Sequence, residues 1–317
     1  MSSENLSKSI GPAPLIAAID RIANSSGGQV GLSALHLETG RRIGYHADDP
    51  FPLASTVKVA ITTALFEQID SGKLALSTLV AVWPSDFVPS GTLAAKFPHA
   101  GLSLSIANLT HLMIIDSDNT ATDVILRTIG GMEAVRQTLE GLGIAGINPC
   151  RSIAQLYCDL WDIPQLEDPD ASVLARMQSD PIRFQQWKDT SSQPDPAYTA
   201  DPRDQGTPAA MVELLRQLWT AESVSETARD FLVTTMRQTV TGPDRIRFHL
   251  PTEVTIAHKT GSCPGTINDA GYLMLPADSG TLALAIYVKA SDDPPGAARA
   301  IADLARLIYD YTVLKSG

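Results

Sequence analysis

Three short groups of residues in this sequence carry the side chains that nucleophilic catalysis by a serine requires. Ser55 is followed by Lys58, and on a helix a spacing of three places both side chains on the same face. A serine hydroxyl is a weak nucleophile until a neighbour accepts its proton, and a lysine desolvated at a helix start can have a pKa low enough to help. Alone, a Ser-x-x-Lys pattern is also typical of a capped helix with a solvated lysine.

The other two groups are Ser117-Asp118-Asn119 and Lys259-Thr260-Gly261. A second hydroxyl can pass a proton to a leaving nitrogen, and an asparagine amide can hold a substrate amide. The third group combines a cation, a hydroxyl and a glycine that allows close backbone approach at the end of an apolar strand. Separately, these groups are an ordinary helix cap and an ordinary strand end with a turn.

The hydrophobic pattern predicts the elements that position these groups. Residues 14–25 have helical spacing, and residues 30–37 and 41–47 read as an antiparallel hairpin. Strands return near the end, before an amphipathic helix at 296–314. The predicted strands there are 252–259, 268–275 and 281–289. The strongest helical segments between the two sets of strands are 55–70, 103–115, 119–129, 131–141 and 208–221.

These elements predict an α/β (α+β) fold with an antiparallel sheet, flanked by N- and C-terminal helices, and an inserted all-α domain. The sheet domain would comprise residues 1–48 and 243–317, and the inserted domain residues 49–242. The stretch 145–206 contains Asp-Pro and Gln-Pro breaks and is predicted to be an irregular surface excursion. It would be either a connecting loop or a lid over the site.

In their order along the chain, the three groups resemble the motif set of class A β-lactamases and penicillin-binding proteins. The spacing from Ser55 to Ser117 is also similar to that of class A enzymes. The resemblance covers most of the chain, with only 145–206 outside it. It continues through VGLSALHLETGRRIGYHADDPFPLASTVKV (30–59), VPSGTL (88–93), TGPDRIRFHLP (241–251) and INDAGYLML (267–275).

The resemblance implies a β-lactamase-like fold and a catalytic set formed by Ser55, Lys58, Ser117 and Lys259. Ser55 would be the acylated nucleophile, Lys58 the proton acceptor and Ser117 the relay to the leaving group. The backbone N–H groups of Ser55 and Ser262 fall where the family places its oxyanion hole.

The resemblance also implies a set of substrate-binding residues. Asn119 would contact a substrate amide, and the strand at Lys259 would bind a carboxylate. Arg245 would be a further cation behind that strand, or else a surface arginine in a turn. The complete substrate-binding set is Asn119, Thr260, Gly261, Ser262, Arg245 and Ser90.

One part of the class A pattern is missing. Those enzymes have a Glu-x-x-Leu-Asn segment whose glutamate activates the water that releases the acyl group. The run RDQGTP (203–208) resembles the end of that loop, so the glutamate is expected near Ser191, where none occurs. Release would then depend on Lys58 with Ser117, or on a carboxylate such as Glu167 or Asp189, which could equally be surface charges.

We therefore expect a serine hydrolase that acts through an acyl-serine on an amide, ester or lactam substrate carrying a carboxylate. Two alternatives remain open. One is a true class A-like β-lactamase with a non-standard deacylating residue. The other is a penicillin-binding sensor or binder that is acylated without turnover.

Composition excludes other classes of function. A net charge of −11 without a basic cluster argues against nucleic-acid and membrane-surface partners, and favours a small-molecule substrate. The six histidines lack paired ligand spacing and no phosphate-cradling loop occurs, so no metal or cofactor is expected. Three cysteines leave at least one unpaired, and Cys263 cannot form the cleft disulfide of some class A enzymes, because Ala54 precedes the nucleophile.

The N-terminal region lacks the apolar run of a signal peptide, and no later segment approaches a spanning helix. As written, the chain is predicted to be cytoplasmic, or periplasmic or secreted if a signal peptide has been removed. The sequence leaves the oligomeric state open.

Overall fold

The structure of the protein is a computed structural model that describes residues 9–97, 99, 101–164, 171–277 and 279–316, with side chains described as far as residue 314. In this part of the chain the strands are β1 (Ser9–Ile10), β2 (Gln29–His36), β3 (Arg42–Tyr45), β4 (Phe51–Pro52), β5 (Leu79–Ala81), β6 (Ser103–Ser105), β7 (Ile147–Asn148), β8 (Gln205–Gly206), β9 (Thr255–Cys263), β10 (Thr266–Met274) and β11 (Thr281–Lys289).

The helices described are α1 (Ala13–Ala23), α2 (Val57–Asp70), α3 (Thr92–Lys96), α4 (Ile106–Ile115), α5 (Asn119–Ile129), α6 (Gly131–Gly141), α7 (Ile153–Trp161), α8 (Val173–Gln178), α9 (Pro181–Thr190), α10 (Pro196–Ala200), α11 (Pro208–Trp219), α12 (Glu226–Met236) and α13 (Pro294–Ser316). Two 3₁₀ turns, Ala54–Thr56 and Pro84–Asp86, precede α2 and α3.

The main sheet has six antiparallel strands in the order β1-β3-β2-β11-β10-β9. The two ends of the chain meet in its centre, where β2 pairs with β11 and Gln29 lies opposite Lys289. Strands β9 and β10 form a tight hairpin in which Cys263 pairs with Thr266. Strand β9 therefore forms one edge of the sheet.

Both faces of the sheet are covered. Alternate residues of β11, from Leu282 to Val288, pack against α1 and α13 in one apolar cluster. The intervening residues of β11, which include Tyr287, lie on the opposite face. They join a larger apolar cluster with the inserted helices α2, α5 and α11. Because neither face meets water, the strand reads as a continuous apolar run.

The predicted fold class is confirmed: an antiparallel sheet lies between terminal helices on one face and the inserted helices on the other. Three boundaries differ from expectation. Ser55 lies in a 3₁₀ turn before α2, and residues 103–105 form a short strand ahead of α4. Lys259-Thr260-Gly261 lies within β9 rather than at its end, because the strand continues to Cys263. The proposed domain division stays a prediction.

The prediction of an irregular excursion at 145–206 is wrong for its described residues, which contain four helices and two short strands. Two of the Asp-Pro pairs that suggested breaks, Asp180-Pro181 and Asp195-Pro196, are helix starts. Asp180 and Asp195 are N-caps whose carboxylates accept backbone N–H groups of α9 and α10, with proline as the first helical residue. Proline fits that position because its missing N–H has no partner there in any case.

No helix in the ranges described has the length and apolar character needed to cross a lipid bilayer. The cytoplasmic location stays a prediction.

Candidate active site

Ser55 is held at the N-terminal end of α2 by contacts to the backbone that leads into it. The side chain of Asn268 on β10 donates hydrogen bonds to the carbonyl oxygens of Pro52 (2.8 Å) and Leu53 (3.2 Å). Ala54 has a left-handed backbone with φ of 46°. Ser55 is only partly buried and lines a cavity. The segment thus fixes the backbone while it presents the hydroxyl to open space.

Three residues with side chains and positive φ lie around Ser55. Ala54 precedes it, Ser90 (φ 68°) lines the same cavity, and Ser117 (φ 58°) contacts Lys58. Such conformations are unfavourable for residues other than glycine and persist where the surrounding structure imposes them, which is frequent at functional sites. Their presence on three separate segments around Ser55 makes this region the candidate functional site.

Lys58 is fully buried, and its Nζ atom donates to the carbonyl (2.7 Å) and hydroxyl (3.2 Å) of Ser117 and to Oδ1 of Asn119 (2.8 Å). Burial lowers the pKa of Lys58 to about 7, although the nearby carboxylates of Asp118 and Asp123 oppose the shift. A substantial fraction of this lysine is therefore a neutral amine near neutral pH. The structure joins the first two predicted groups, as expected.

The Ser117-Asp118-Asn119 group is fixed by the hydrogen bonds of its own side chains. Asp118 caps α5 by accepting the N–H of Ala121 (2.7 Å), and its second oxygen accepts the N–H of Leu93 (2.7 Å). Asn119 Nδ2 donates to the carbonyl of Pro89 (3.0 Å) and to the hydroxyl of Tyr157 (3.4 Å). Much of the Asn119 amide is thus engaged in holding Lys58 and the 88–93 loop, and its contact with a substrate amide stays a prediction.

Gly261 brings the edge of β9 against the turn that holds Ser55. A Cβ atom at this position would lie 3.0 Å from the Leu53 carbonyl oxygen and 3.2 Å from the Ser55 nitrogen. These distances are tighter than most real Cβ contacts, so a side chain here would push the turn back by a few tenths of an ångström, whereas glycine permits the approach. The third predicted group is thereby brought next to the nucleophile.

Lys259 is fully buried and donates to the carbonyl of Thr260 (3.0 Å). Burial lowers its pKa well below the usual value, and the charge of Lys58 lowers it further, whereas Asp269 opposes the shift. When Lys58 is charged, Lys259 therefore favours its neutral form.

Arg245 lies behind the β9 edge, which agrees with the expectation of a further cation behind that strand. Its guanidinium donates to the carbonyls of Gly261 and Asn268 (both 2.9 Å) and to the hydroxyl of Ser262 (2.6 Å). It is buried, which rules out the alternative of a surface arginine. Thr260 is also buried, and its hydroxyl pairs with that of Thr241 at 2.5 Å.

A cavity of about 250 Å³ opens beside Ser55 and is lined by four of the predicted site residues: Ser55, Ser90, Asn119 and Ser262. The described helices of the excursion form much of the remaining wall, through α7, α9 and α10. The described part of 145–206 is therefore more than a connecting loop, because it lines the cavity, whereas its role as a lid stays a prediction.

Of the two candidate carboxylates for releasing an acyl group, only Asp189 is described, and it is not among the residues that line the cavity. Asp189 is exposed on α9, where its carboxylate accepts a hydrogen bond from Gln185 (2.8 Å). Glu167 lies outside the described residues. Asp204 does line the cavity, but it accepts hydrogen bonds from Arg151 Nε (2.6 Å) and from the N–H groups of Cys150 and Arg151. Asp204 thus joins the two ends of the excursion and has no oxygen free of these hydrogen bonds to activate a water.

Several residues that shape the site were missed by the sequence reasoning. Asp123 is buried and accepts the first N–H groups of α7 from Ile153 (2.8 Å) and Ala154 (2.7 Å), and burial raises its pKa to about 7. Its partners are thirty residues away, so no local spacing signals the contact. Asn268 could have been suspected, because an amide within an apolar strand needs a partner.

Together these features define a class of protein: a serine hydrolase whose Ser-x-x-Lys, Ser-Asp-Asn and Lys-Thr-Gly groups meet between a helical layer and the edge of a sheet. The β-lactamase enzyme family model matches residues 14–312. The chain therefore belongs to this family and is a serine hydrolase of the β-lactamase-like superfamily.

Curated relatives cover nearly the whole chain. β-Lactamase VEB-1 of Pseudomonas aeruginosa is 23% identical over 95% of this chain and 91% of its own length. A β-lactamase of Bacteroides uniformis is 26% identical over 92% and 89% of the two chains, respectively.

Solved structures agree with the fold. A β-lactamase from Chitinophaga pinensis superposes with a TM-score of 0.76 at 27% identity, covering 94% of this chain and 99% of the other. An ancestral class A β-lactamase gives a TM-score of 0.77, also at 27% identity, with coverage of 94% and 99%.

Proposed function

We propose that this protein acylates Ser55 with an amide, ester or lactam substrate that carries a carboxylate, and then hydrolyses the acyl-serine. The observation that carries the proposal is the buried Lys58 amine, hydrogen-bonded to Ser117 and Asn119 at the start of the helix that follows Ser55. A lysine with a pKa of about 7 can accept a proton under physiological conditions.

In the proposed acylation, the Ser55 oxygen forms a bond to the substrate carbonyl carbon, and the bond to the leaving nitrogen or oxygen breaks. The serine proton moves to Lys58, and the Ser117 hydroxyl passes a proton to the leaving atom. A neutral Lys58 has two hydrogens, which suffice for the Ser117 carbonyl and Asn119, and so its lone pair is left to accept the Ser55 proton. The protonated Lys58 then returns a proton to Ser117. Water then cleaves the ester, which restores Ser55 and releases an acid.

The developing oxyanion would be stabilised by the N–H groups of Ser55 and Ser262. This role is supported by the approach of β9 to the Ser55 nitrogen at Gly261. The substrate carboxylate would meet the β9 edge, where the Arg245 guanidinium provides a cation behind Ser262 and the buried Lys259 lies beside Thr260.

Membership of the β-lactamase family favours one specific candidate, a β-lactamase that uses a non-standard group for deacylation. In this candidate Lys58 with Ser117 would activate the water, because the carboxylate of Asp204, which lines the cavity, is occupied by Arg151. The lack of a free carboxylate in the described lining equally favours the remaining candidate, a binder that forms a stable penicilloyl adduct on Ser55.

Covalent labelling tests the nucleophile. Incubation with a fluorophosphonate probe should add one label to the wild-type chain by intact mass and none to Ser55→Ala. The matched control is Ser179→Ala, an exposed serine after α8, which should label at the wild-type rate. Labelling that persists in Ser55→Ala would overturn the proposal.

Assays with β-lactams, esters and amides separate the three candidates, which are a β-lactamase, a binder and a hydrolase for another substrate. Benzylpenicillin should acylate Ser55 in each case, because all three candidates use the same residues to acylate Ser55. Rapid nitrocefin turnover identifies a β-lactamase, and a stable adduct without turnover of any ester, amide or lactam identifies a binder. Slow nitrocefin turnover with faster hydrolysis of an ester or amide identifies a hydrolase for another substrate.

A further inference from the structure

The cavity wall beside Ser55 is apolar where the excursion forms it. Helix α7 contributes Leu156, Tyr157 and Leu160, and α9 contributes Trp187. Strand β10 adds Ile267 from the opposite side. Ser55 therefore opens onto a chamber in which most nearby surface is hydrocarbon or aromatic.

Leu156 and Leu160 are four positions apart and share one face of α7. Both are only partly buried, and neither belongs to any of the three clusters of packed apolar side chains found among the described residues. They thus present apolar surface to the cavity that a ligand could remove from water.

Trp187 is held in place by other aromatic side chains. Its ring stacks on Phe184 with the centroids 6.1 Å apart and the planes 7° from parallel, and it meets Tyr157 edge-on at 5.6 Å. Such contacts fix ring orientation. The apolar wall is therefore formed before any ligand enters, so binding does not require the wall to be ordered.

The cavity offers no unpaired charge within the part of the chain described. Its charged lining residues are Arg151 and Asp204, and they bond to each other at 2.6 Å. Asp159 and Asp201 further surround the same guanidinium. Nη2 of Arg151 has no hydrogen-bond partner among the described residues, but three carboxylates offset the charge of this guanidinium, so a charged group that entered the cavity would lose its hydration without gaining an unpaired counter-ion.

From these observations we infer that the cavity binds the acyl portion of the substrate and selects an uncharged, apolar acyl group, such as a medium-length alkanoyl chain. Leu156, Leu160 and Trp187 are the residues that determine this specificity. The substrate carboxylate, by contrast, lies on the leaving-group side at the β9 edge. The inference rests on the proposed acylation of Ser55.

A series of 4-nitrophenyl esters, from acetate through butyrate and hexanoate to octanoate, tests the inference. In the wild-type protein kcat/KM should rise about fourfold for each added methylene until the cavity is full, which corresponds to about 0.8 kcal/mol per buried CH₂. Glutarate monoester, which carries a charge at the far end of the acyl group, should react more slowly than hexanoate.

Leu160→Trp should fill the cavity from α7. Hydrolysis of the octanoate should fall about tenfold or more relative to hydrolysis of the acetate, as burial of two or more methylenes is lost. The matched control, Ile182→Trp, changes a residue of α9 that is 74% exposed and should keep the wild-type preference. Fluorophosphonate labelling of Ser55 in both variants confirms that each has folded.

A rate that does not depend on chain length, a preference for glutarate, or an equal loss for all esters in Leu160→Trp would overturn the inference. These results differ from failure of the proposed function. In that case Ser55 would not be labelled, or ester hydrolysis would continue in Ser55→Ala.

Discussion

Lys58 is the side chain whose surroundings most directly set the chemistry of the site. It is enclosed by Ser117 and Asn119, and its pKa of about 7 results from burial, which outweighs the attraction of Asp118 and Asp123. The protonated form cannot accept the Ser55 proton. Activity should therefore depend on the fraction of neutral Lys58, and that fraction grows with pH.

This dependence gives a prediction for the pH profile. The kcat/KM of a neutral ester should rise with pH through about 7, with up to a tenfold gain per unit below that value. Asp123→Asn removes a negative charge that raises the Lys58 pKa, so the rise should shift to lower pH.

Asp230→Asn provides the control, because that carboxylate is exposed and pairs with Arg229 on α12. Its profile should match the wild type. If the rise in activity disappears in Asp123→Asn instead of shifting, the titrating group is Asp123, whose own pKa is about 7, and the assignment to Lys58 is wrong.

At the scale of the elements, the excursion is a folded unit closed by ion pairs. Arg151, two residues before α7, bonds to Asp204, directly before β8, and so joins the two ends of the excursion. At the start of α7 the Asp123 carboxylate accepts the first free N–H groups of the helix. The cavity wall is thus positioned by contacts at its base as well as by its own aromatic cluster.

Arg151→Gln tests this closure. Removal of the guanidinium leaves the largely buried Asp204 without its cation, whereas Asp201 keeps Arg203, and the free energy of unfolding should fall by about 3 kcal/mol. Hydrogen exchange should increase in α7 and α9 before it increases in the sheet.

The comparison for this measurement is Arg306→Gln, which breaks an exposed pair with Asp310 on α13. Its cost should stay below about 1 kcal/mol, because exposed pairs are screened by water. Equal costs for the two variants, or unchanged exchange in α7, would refute the role given to Arg151.

At the scale of the whole molecule, the sheet is common to both layers of helices. Tyr272 of β10 belongs to the larger cluster and donates a hydrogen bond to the carbonyl of Leu215 in α11 at 2.7 Å. The neighbouring Leu273 belongs to the cluster with α1 and α13. Because adjacent residues of one strand serve both cores, neither layer can lose its packing without disturbing the other.

We therefore expect one cooperative unfolding transition for the chain, despite its two predicted domains. Tyr272→Phe removes the hydrogen bond between the layers and should reduce the free energy of unfolding by about 1 kcal/mol. The near-ultraviolet signal of the aromatic core and the far-ultraviolet signal of the backbone should shift together. Two separated calorimetric transitions would contradict this expectation.

The sequence by itself determined the fold class, the antiparallel hairpins and the three groups that carry the chemistry. These features are readable because apolar periodicity follows the local geometry of helices and strands, and because each group is contiguous. The same local reading failed for 145–206. Asp-Pro begins a helix as readily as it ends one, and the aromatic residues that follow gave no clear period.

Only the tertiary structure decided how these groups act on one another. The low pKa of Lys58 depends on burial by residues far along the chain, and Asn268 reaches the turn before Ser55 from the opposite end of the sequence. The apolar cavity likewise requires α7, α9 and β10 to meet. Burial, desolvation and enclosure arise from distant segments packed together, so a linear pattern can name the groups but cannot fix their environment.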